Sequence, residues 1–114
     1  MTKVYRIKDW DTNFEVADTR KCANMKWIAV PNRQEGKGYR RIASHARSCE
    51  IFAAWILICQ VASKMPERGL LVDKDGPLDA EDMGFKTGFP AEAFEIAFEV
   101  LVADKIEWLE VVPG

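Results

Sequence analysis

The sequence predicts an α+β domain, mainly helical, with a small β-sheet. Three observations carry that reading. The stretch "EIFAAWILICQVASK" (Glu50–Lys64) is apolar almost all round, as a central buried helix is. Two further helical segments lie between Asp79 and about Ala103, parted by a short turn between Lys86 and Pro90. Short β-rich runs flank these helices on both sides. A chain of 114 residues is one domain's worth. It is long enough to bury a core without disulfides or metal.

Taken in order, "VYRI" (Val4–Ile7) alternates weakly and reads as a short edge strand. A polar stretch follows, anchored by Trp10 and Phe14, and a short helix is expected over Thr19–Met25, capped by Asp18 or Thr19. "WIAVP" (Trp27–Pro31) is β-rich and stops at proline, so it predicts a strand. Asn32, Gly36 and Gly38 mark a loop, and Tyr39–Ala46 starts a helix or a turn. After the Glu50–Lys64 helix and Pro66 come a short strand at Leu70–Val72 and a turn at Lys74–Gly76. Asp79 caps a helix over Ala80–Lys86, with Asp82 placed for a capping box and Gly88 as its stop. Pro90 opens the next helix in its first turn. There Phe94, Ala97, Phe98 and Leu101 share one face, and Glu92, Glu95 and Glu99 share the opposite one. "KIEWLEVV" (Lys105–Val112) alternates as a strand. Trp27, Trp55, Trp108, Phe52, Phe94 and Phe98 are the expected aromatic core.

From Glu50 onward the order is helix, strand, helix, helix, strand. That is the order of a winged helix-turn-helix, with 50–112 as its core and 1–49 as an N-terminal extension. The whole chain resembles winged-helix domains found at the N-termini of phage and prophage replication-type proteins, replisome-organiser or primosome-like in character. The residues that carry the resemblance are "YRIKDWDTNFE", "WIAVPN", "GKGYRRI", "AAWILICQVASKMPERGLL", "GPLDAEDMGFKTGFPAEAFEIAFEVL" and "IEWLE", which span nearly all of 4–110. The resemblance implies a fold and a DNA-linked, cytoplasmic role rather than a chemistry. Such domains are usually followed by more chain, which implies a fragment or a stand-alone version.

The charge map qualifies that role. Net charge is −2, but residues 1–49 carry eleven Lys/Arg against five Asp/Glu, and residues 50–114 carry five against thirteen. The asymmetry speaks to partners rather than to fold. The second helix of the helix-turn-helix presents glutamates where a base reader presents Lys, Arg, Asn or Gln. Glu92, Glu95 and Glu99 facing phosphates would each cost about 1 kcal/mol per close contact. They form either a solvated face or a docking face for a basic partner. The expected DNA-binding residues are instead Arg33, Lys37, Arg40, Arg41, His45 and Arg47, with Tyr39 among them to stack on a base or sugar, and Lys21 and Lys26 extending the patch. The alternative function is a protein-interaction module that dimerises or docks a replication partner.

Other chemistries find little footing. "EGKGYRR" lacks the spacing and context of a phosphate loop. "DKDGPLDAED" places Pro77 and its glycine out of register for a calcium loop, and reads as a turn and a helix cap. His45 and Cys49 are the nearest approach to a zinc pair, without a second pair to complete it. Cys22, Cys49 and Cys59 are an odd count with no CxxC, suited to free thiols in a reducing compartment. One histidine and no recognised nucleophile argue against an enzyme, so no cofactor, metal or small-molecule substrate is expected. The longest apolar run, Ile51–Cys59, is too short for a membrane span, and "MTKVYRIKDWD" has no apolar leader core.

Overall fold

In the computed structural model, which describes residues 3–22, 24–30 and 36–113, the N-terminal strand β1 (Val4–Ile7) is hydrogen-bonded on both sides. On one side it pairs antiparallel with the last strand, β4 (Leu109–Val112), Val4 opposite Val112 and Ile7 opposite Leu109. On the other, the Ile7 N–H donates to the Gly69 carbonyl at 2.8 Å and the Leu71 N–H to the Tyr5 carbonyl at 2.9 Å, around an Arg6–Leu70 bridge. β1 and β4 make a two-stranded sheet, in which β1 is an edge strand as expected, and the Gly69–Leu71 segment adds a single bridge along its other side. The four residues alternate, Ile7 and Tyr5 facing inward and Arg6 outward. Ile7 is fully buried, and Tyr5 stacks flat on Phe98 at 4.3 Å. Outside, Arg6 Nε donates to Glu110 Oε1 at 2.8 Å across the ladder.

Helices α1 (Trp10–Asn13) and α2 (Ala17–Lys21) follow, then α3 (Lys37–Ala43) and α4 (Ser48–Ala62). Strands β2 (Val72–Asp73) and β3 (Gly76–Pro77) make a hairpin whose turn is held by the Asp75 N–H donating to Asp73 Oδ1 at 2.8 Å. The acidic stretch there is a turn and a cap, as expected. Helices α5 (Ala80–Thr87) and α6 (Ala91–Leu101) come before β4. At α5 the Asp82 N–H donates to Asp79 Oδ1 at 2.8 Å and the Asp79 N–H to Asp82 Oδ2 at 3.1 Å, a reciprocal capping box. Gly88 ends the helix in the left-handed conformation, φ 76.

The core lies between α4, α6 and the sheet. Ile51, Ala54, Trp55, Ile58, Cys59 and Ala62 put the buried face of α4 against Phe94, Ala97, Phe98 and Leu101 of α6. Each large side chain buried there contributes about 1.5–3 kcal/mol. Glu92, Glu95 and Glu99 stay exposed on the opposite face of α6, as the periodicity requires. Gly69 takes φ 91, and a Cβ there would stand 2.7 Å from Trp10 Cγ. Only glycine lets the segment joining β1 lie against that ring.

Three expectations are corrected. Helix α2 begins earlier than Thr19, because the Val16 N–H donates to Thr19 Oγ1 at 2.7 Å and makes Thr19 the third helical residue rather than the cap. Trp27–Val30 form no strand, and Trp27 is 80% exposed rather than core. The inward face of the sheet is already occupied by Ile7, Leu71 and Leu109, and "WIAV" finds no ladder among the described residues. Pro31 lies outside them. Strand β4 begins at Leu109 rather than Lys105, because Lys105 and Glu107 take left-handed φ values of 71 and 50 that no strand accommodates.

Candidate nucleic-acid interface

Helix α3 is short, and its sequence "KGYRRIA" divides by side. Lys37, Arg40 and Arg41 stand three and four residues apart and share the outer face. All three are exposed. Ile42 is fully buried on the inner face, and Tyr39, half-buried beside it, meets Phe52 edge-on at 5.8 Å between ring centroids. None of the three cations pairs with a carboxylate among the described residues. Elsewhere five cations are ion-paired among the described residues, while Lys3, Arg20, Lys26, Lys64, Lys74 and Lys105 are not. Arg6 pairs with Glu110, Lys8 with Glu107, Arg68 with Glu15 and Lys86 with Asp73.

The remaining expected contacts divide. Arg47 is committed to carboxylates. Its Nη1 lies 2.7 Å from Glu92 Oε1 and its Nε 3.0 Å from Glu50 Oε1, a fork that draws the start of α4 to the start of α6. Those hydrogen bonds, to Glu50 first and Glu92 second, push the Arg47 guanidinium further up, and the one that Glu50 accepts pulls its carboxyl down. Of the expected contacts, Arg47 and Glu92 are thus paired with each other across the two helix starts. His45 is exposed in the turn between α3 and α4, where its Nδ1 accepts from the Arg47 backbone N–H at 3.0 Å. Lys26 is exposed in the irregular segment that carries Trp27. Arg33 and the side chain of Lys21 lie outside the described residues. Glu95 and Glu99 are exposed and free of ion pairs among the described residues. Among the described residues, no three His, Cys, Asp or Glu side chains gather as a metal site would need.

Beside α3 opens a cleft of about 620 Å³ that the sequence did not announce. Its walls are Phe14, Tyr39, Phe52, Trp55 and Trp108, and its rim carries Lys8, Asp9, Lys37, Lys105 and Glu107. Trp55 and Trp108 lie 5.1 Å apart at a tilt. Gly38 brings α3 against the loop after α6, since a Cβ there would stand 3.0 Å from the Trp108 indole nitrogen. Across the rim, Lys8 Nζ meets Glu107 Oε2 at 2.7 Å, and the Lys8 N–H donates to the Trp108 carbonyl at 3.1 Å. The hydrogen bond that Lys8 donates to Glu107 raises its ammonium above its ordinary value. Three non-glycine residues of the described chain have left-handed backbones, Asp9 (φ 55), Lys105 (φ 71) and Glu107 (φ 50), and all three line this cleft. Such conformations cost of order 1 kcal/mol or more each and gather where a shape is over-determined.

No protein-family model matches the chain, and neither a curated protein nor a solved structure matches it. No helix among the described residues is long and apolar enough to cross a membrane.

Proposed function

We propose that this chain is a DNA-associated domain of winged-helix type, from a phage-like replication or regulatory setting in the cytoplasm, that holds phosphate backbone on the outer face of α3. One observation carries the reading. Lys37, Arg40 and Arg41 gather on one exposed helix face with no carboxylate to neutralise them among the described residues, whereas the other unpaired cations, Lys3, Arg20, Lys26, Lys64, Lys74 and Lys105, are spread over other segments. Positive charge gathered on one stripe suits phosphates, and contacts to the backbone carry little sequence preference. The winged-helix part rests on the order of α4, the Leu70–Asp73 segment, the α5–α6 pair and β4, together with the resemblance of the sequence. In this version β1 pairs with β4 in one two-stranded sheet and β2 with β3 in another. The glutamate face of α6 then points away from the role of base reader.

The test is a salt titration of labelled single-stranded and duplex DNA. Affinity should fall steeply with salt, and Arg40→Ala with Arg41→Ala should shrink the log–log slope by about 1.4–1.8, two phosphate contacts' worth. Absence of binding to either form at low salt would overturn the reading. The second reading, a protein-docking module, draws on Phe85 of α5, which is 92% exposed beside the acidic half of the molecule. A concentration-dependent dimer that Phe85→Ser dissolves, with no DNA binding, would favour it instead.

A further inference from the structure

Resting on the nucleic-acid reading, we propose that the aromatic cleft beside α3 receives one nucleotide unit, its base between the aromatic walls and its phosphate on Lys37 and Lys105. Its volume, about 620 Å³, is that of a small-ligand site. Its walls offer flat π-surfaces from Tyr39 and Trp108 over a floor of Phe52 and Trp55. Every base has a face that stacks on such rings. The Trp108 indole N–H hydrogen-bonds no described residue, yet it is not sealed from solvent. Its nitrogen lies against Gly38, which also lines the cleft. Asp9, on the facing rim, supplies an acceptor for an exocyclic amine or a sugar hydroxyl.

Charge sorts the ligand further. Lys8 and Glu107 satisfy each other across the rim, while Lys37 and Lys105 are exposed and ion-pair with no described carboxylate. A planar group bearing an anion is therefore the complement. Lys37 belongs both to this rim and to the cation stripe of α3. The cleft thus lies at one end of the surface that holds the backbone, where a strand can turn a single base inward. Duplex DNA, with its bases stacked, cannot offer one without unpairing. The occupant is a nucleotide monophosphate unit, either within a single strand or free.

The experiment uses the full chain with Trp27→Phe, which removes the indole that is 80% exposed and far from needed in the readout. Tryptophan emission is followed while a dT oligonucleotide, a dA oligonucleotide, a duplex of the same length and the free 5′-mononucleotides are added at constant salt. Single strands should quench Trp55 and Trp108 emission and bind at least fivefold more tightly than duplex. Tyr39→Leu should cut single-strand affinity by about fivefold to a hundredfold, the worth of one base–aromatic stack, with little change for duplex. Because Tyr39 also packs on Phe52, the exposed Lys105→Glu provides the second variant. It should weaken single-strand binding by about tenfold and duplex binding far less. Equal binding of both forms without quenching, or equal effects of Lys105→Glu on both, would overturn the cleft proposal while leaving phosphate binding by α3 standing. Saturable quenching by mononucleotides without any oligonucleotide binding would support the cleft as a free-nucleotide site and remove the DNA reading. Silence to every probe would sink both.

Discussion

Arg68 is the residue whose loss should be felt most among the charged side chains. It reaches from the loop after α4 to the N-terminal segment. There its Nη1 lies 3.1 Å from Glu15 Oε1 and donates to the Thr19 carbonyl at 2.9 Å, while its Nη2 donates to the Cys22 carbonyl. Glu15 is 7% exposed and accepts the Trp10 indole N–H at 2.6 Å. Burial alone would push the Glu15 carboxyl up, but the Trp10 and Thr19 hydrogen bonds and the Arg68 charge together carry it below its ordinary value of 4.5. Removing the cation strands a buried carboxylate, so Arg68→Ala should cost about 3 kcal/mol in urea unfolding. A loss under about 0.5 kcal/mol, the worth of a surface pair, would show that the network is not taut. The pH dependence follows from the lowered carboxyl. Its contribution is fully present above the ordinary glutamate value and is lost as pH falls through the folded one. Glu15→Gln should therefore lose less stability than the parent between about pH 6 and pH 3, in thermal melts at matched salt. Nothing in the spacing of Trp10, Glu15 and Arg68 announces this network, since its partners meet only after the sheet has formed.

At the scale of elements, what was legible in the sequence is what local chemistry determines. The α5–α6 pair follows from Asp79, Asp82, Gly88 and the three-and-four spacing of Phe94, Ala97, Phe98 and Leu101, all within a few residues of what they control. Asp79→Ala should accordingly cost about 1 kcal/mol, read as a lowered melting temperature, and Asp79→Asn should recover most of it. Identical melting of the alanine variant would mean that packing of Met83 and Phe94 holds α5 without its cap. The cations of α3 were legible as a cluster but not as a stripe, because Gly36 and Gly38 read as a loop through Lys37, whereas the helix starts there and so gathers Lys37, Arg40 and Arg41 on one face. Arg47 was not legible. Its fate is decided by Glu92, forty-five residues on, which arrives only when α6 packs against α4. Trp27 misled in the other direction: aromatic and β-branched neighbours describe a segment that suits a strand, but a strand needs a partner, and the ladders are taken. The cleft was least legible of all, since its walls come from α3, α4 and the segments after α1 and before β4, and its rim depends on left-handed backbones at Lys105 and Glu107 that Lys and Glu do not favour, as well as at Asp9.

For the molecule as a whole, the N-terminal strand links the halves that the charge map separates. The basic first half and the acidic second half are joined by β1, which lies between Gly69–Leu71 and β4 and stacks Tyr5 on Phe98 of α6. A sheet this small has no redundancy. Without β1, the Leu71 N–H and the backbone of Leu109–Val112 lose their partners together, and Leu71 and Leu109 lose the Ile7 side chain that seals them. An isolated short strand is marginal in water, so neither edge is expected to persist alone. Deleting residues 1–7 should therefore abolish cooperative unfolding of the entire domain, not merely release a tail. Helical circular dichroism would shrink and the near-ultraviolet signal of the tryptophans would flatten. The single substitution Ile7→Ala, which keeps the ladder and removes the buried side chain, should retain a cooperative melt at a cost of about 2–5 kcal/mol. If the truncated chain melts as sharply as the parent, then α4, α5 and α6 form a self-sufficient unit. The first half would then be an appendage whose cations act independently of the fold beneath them.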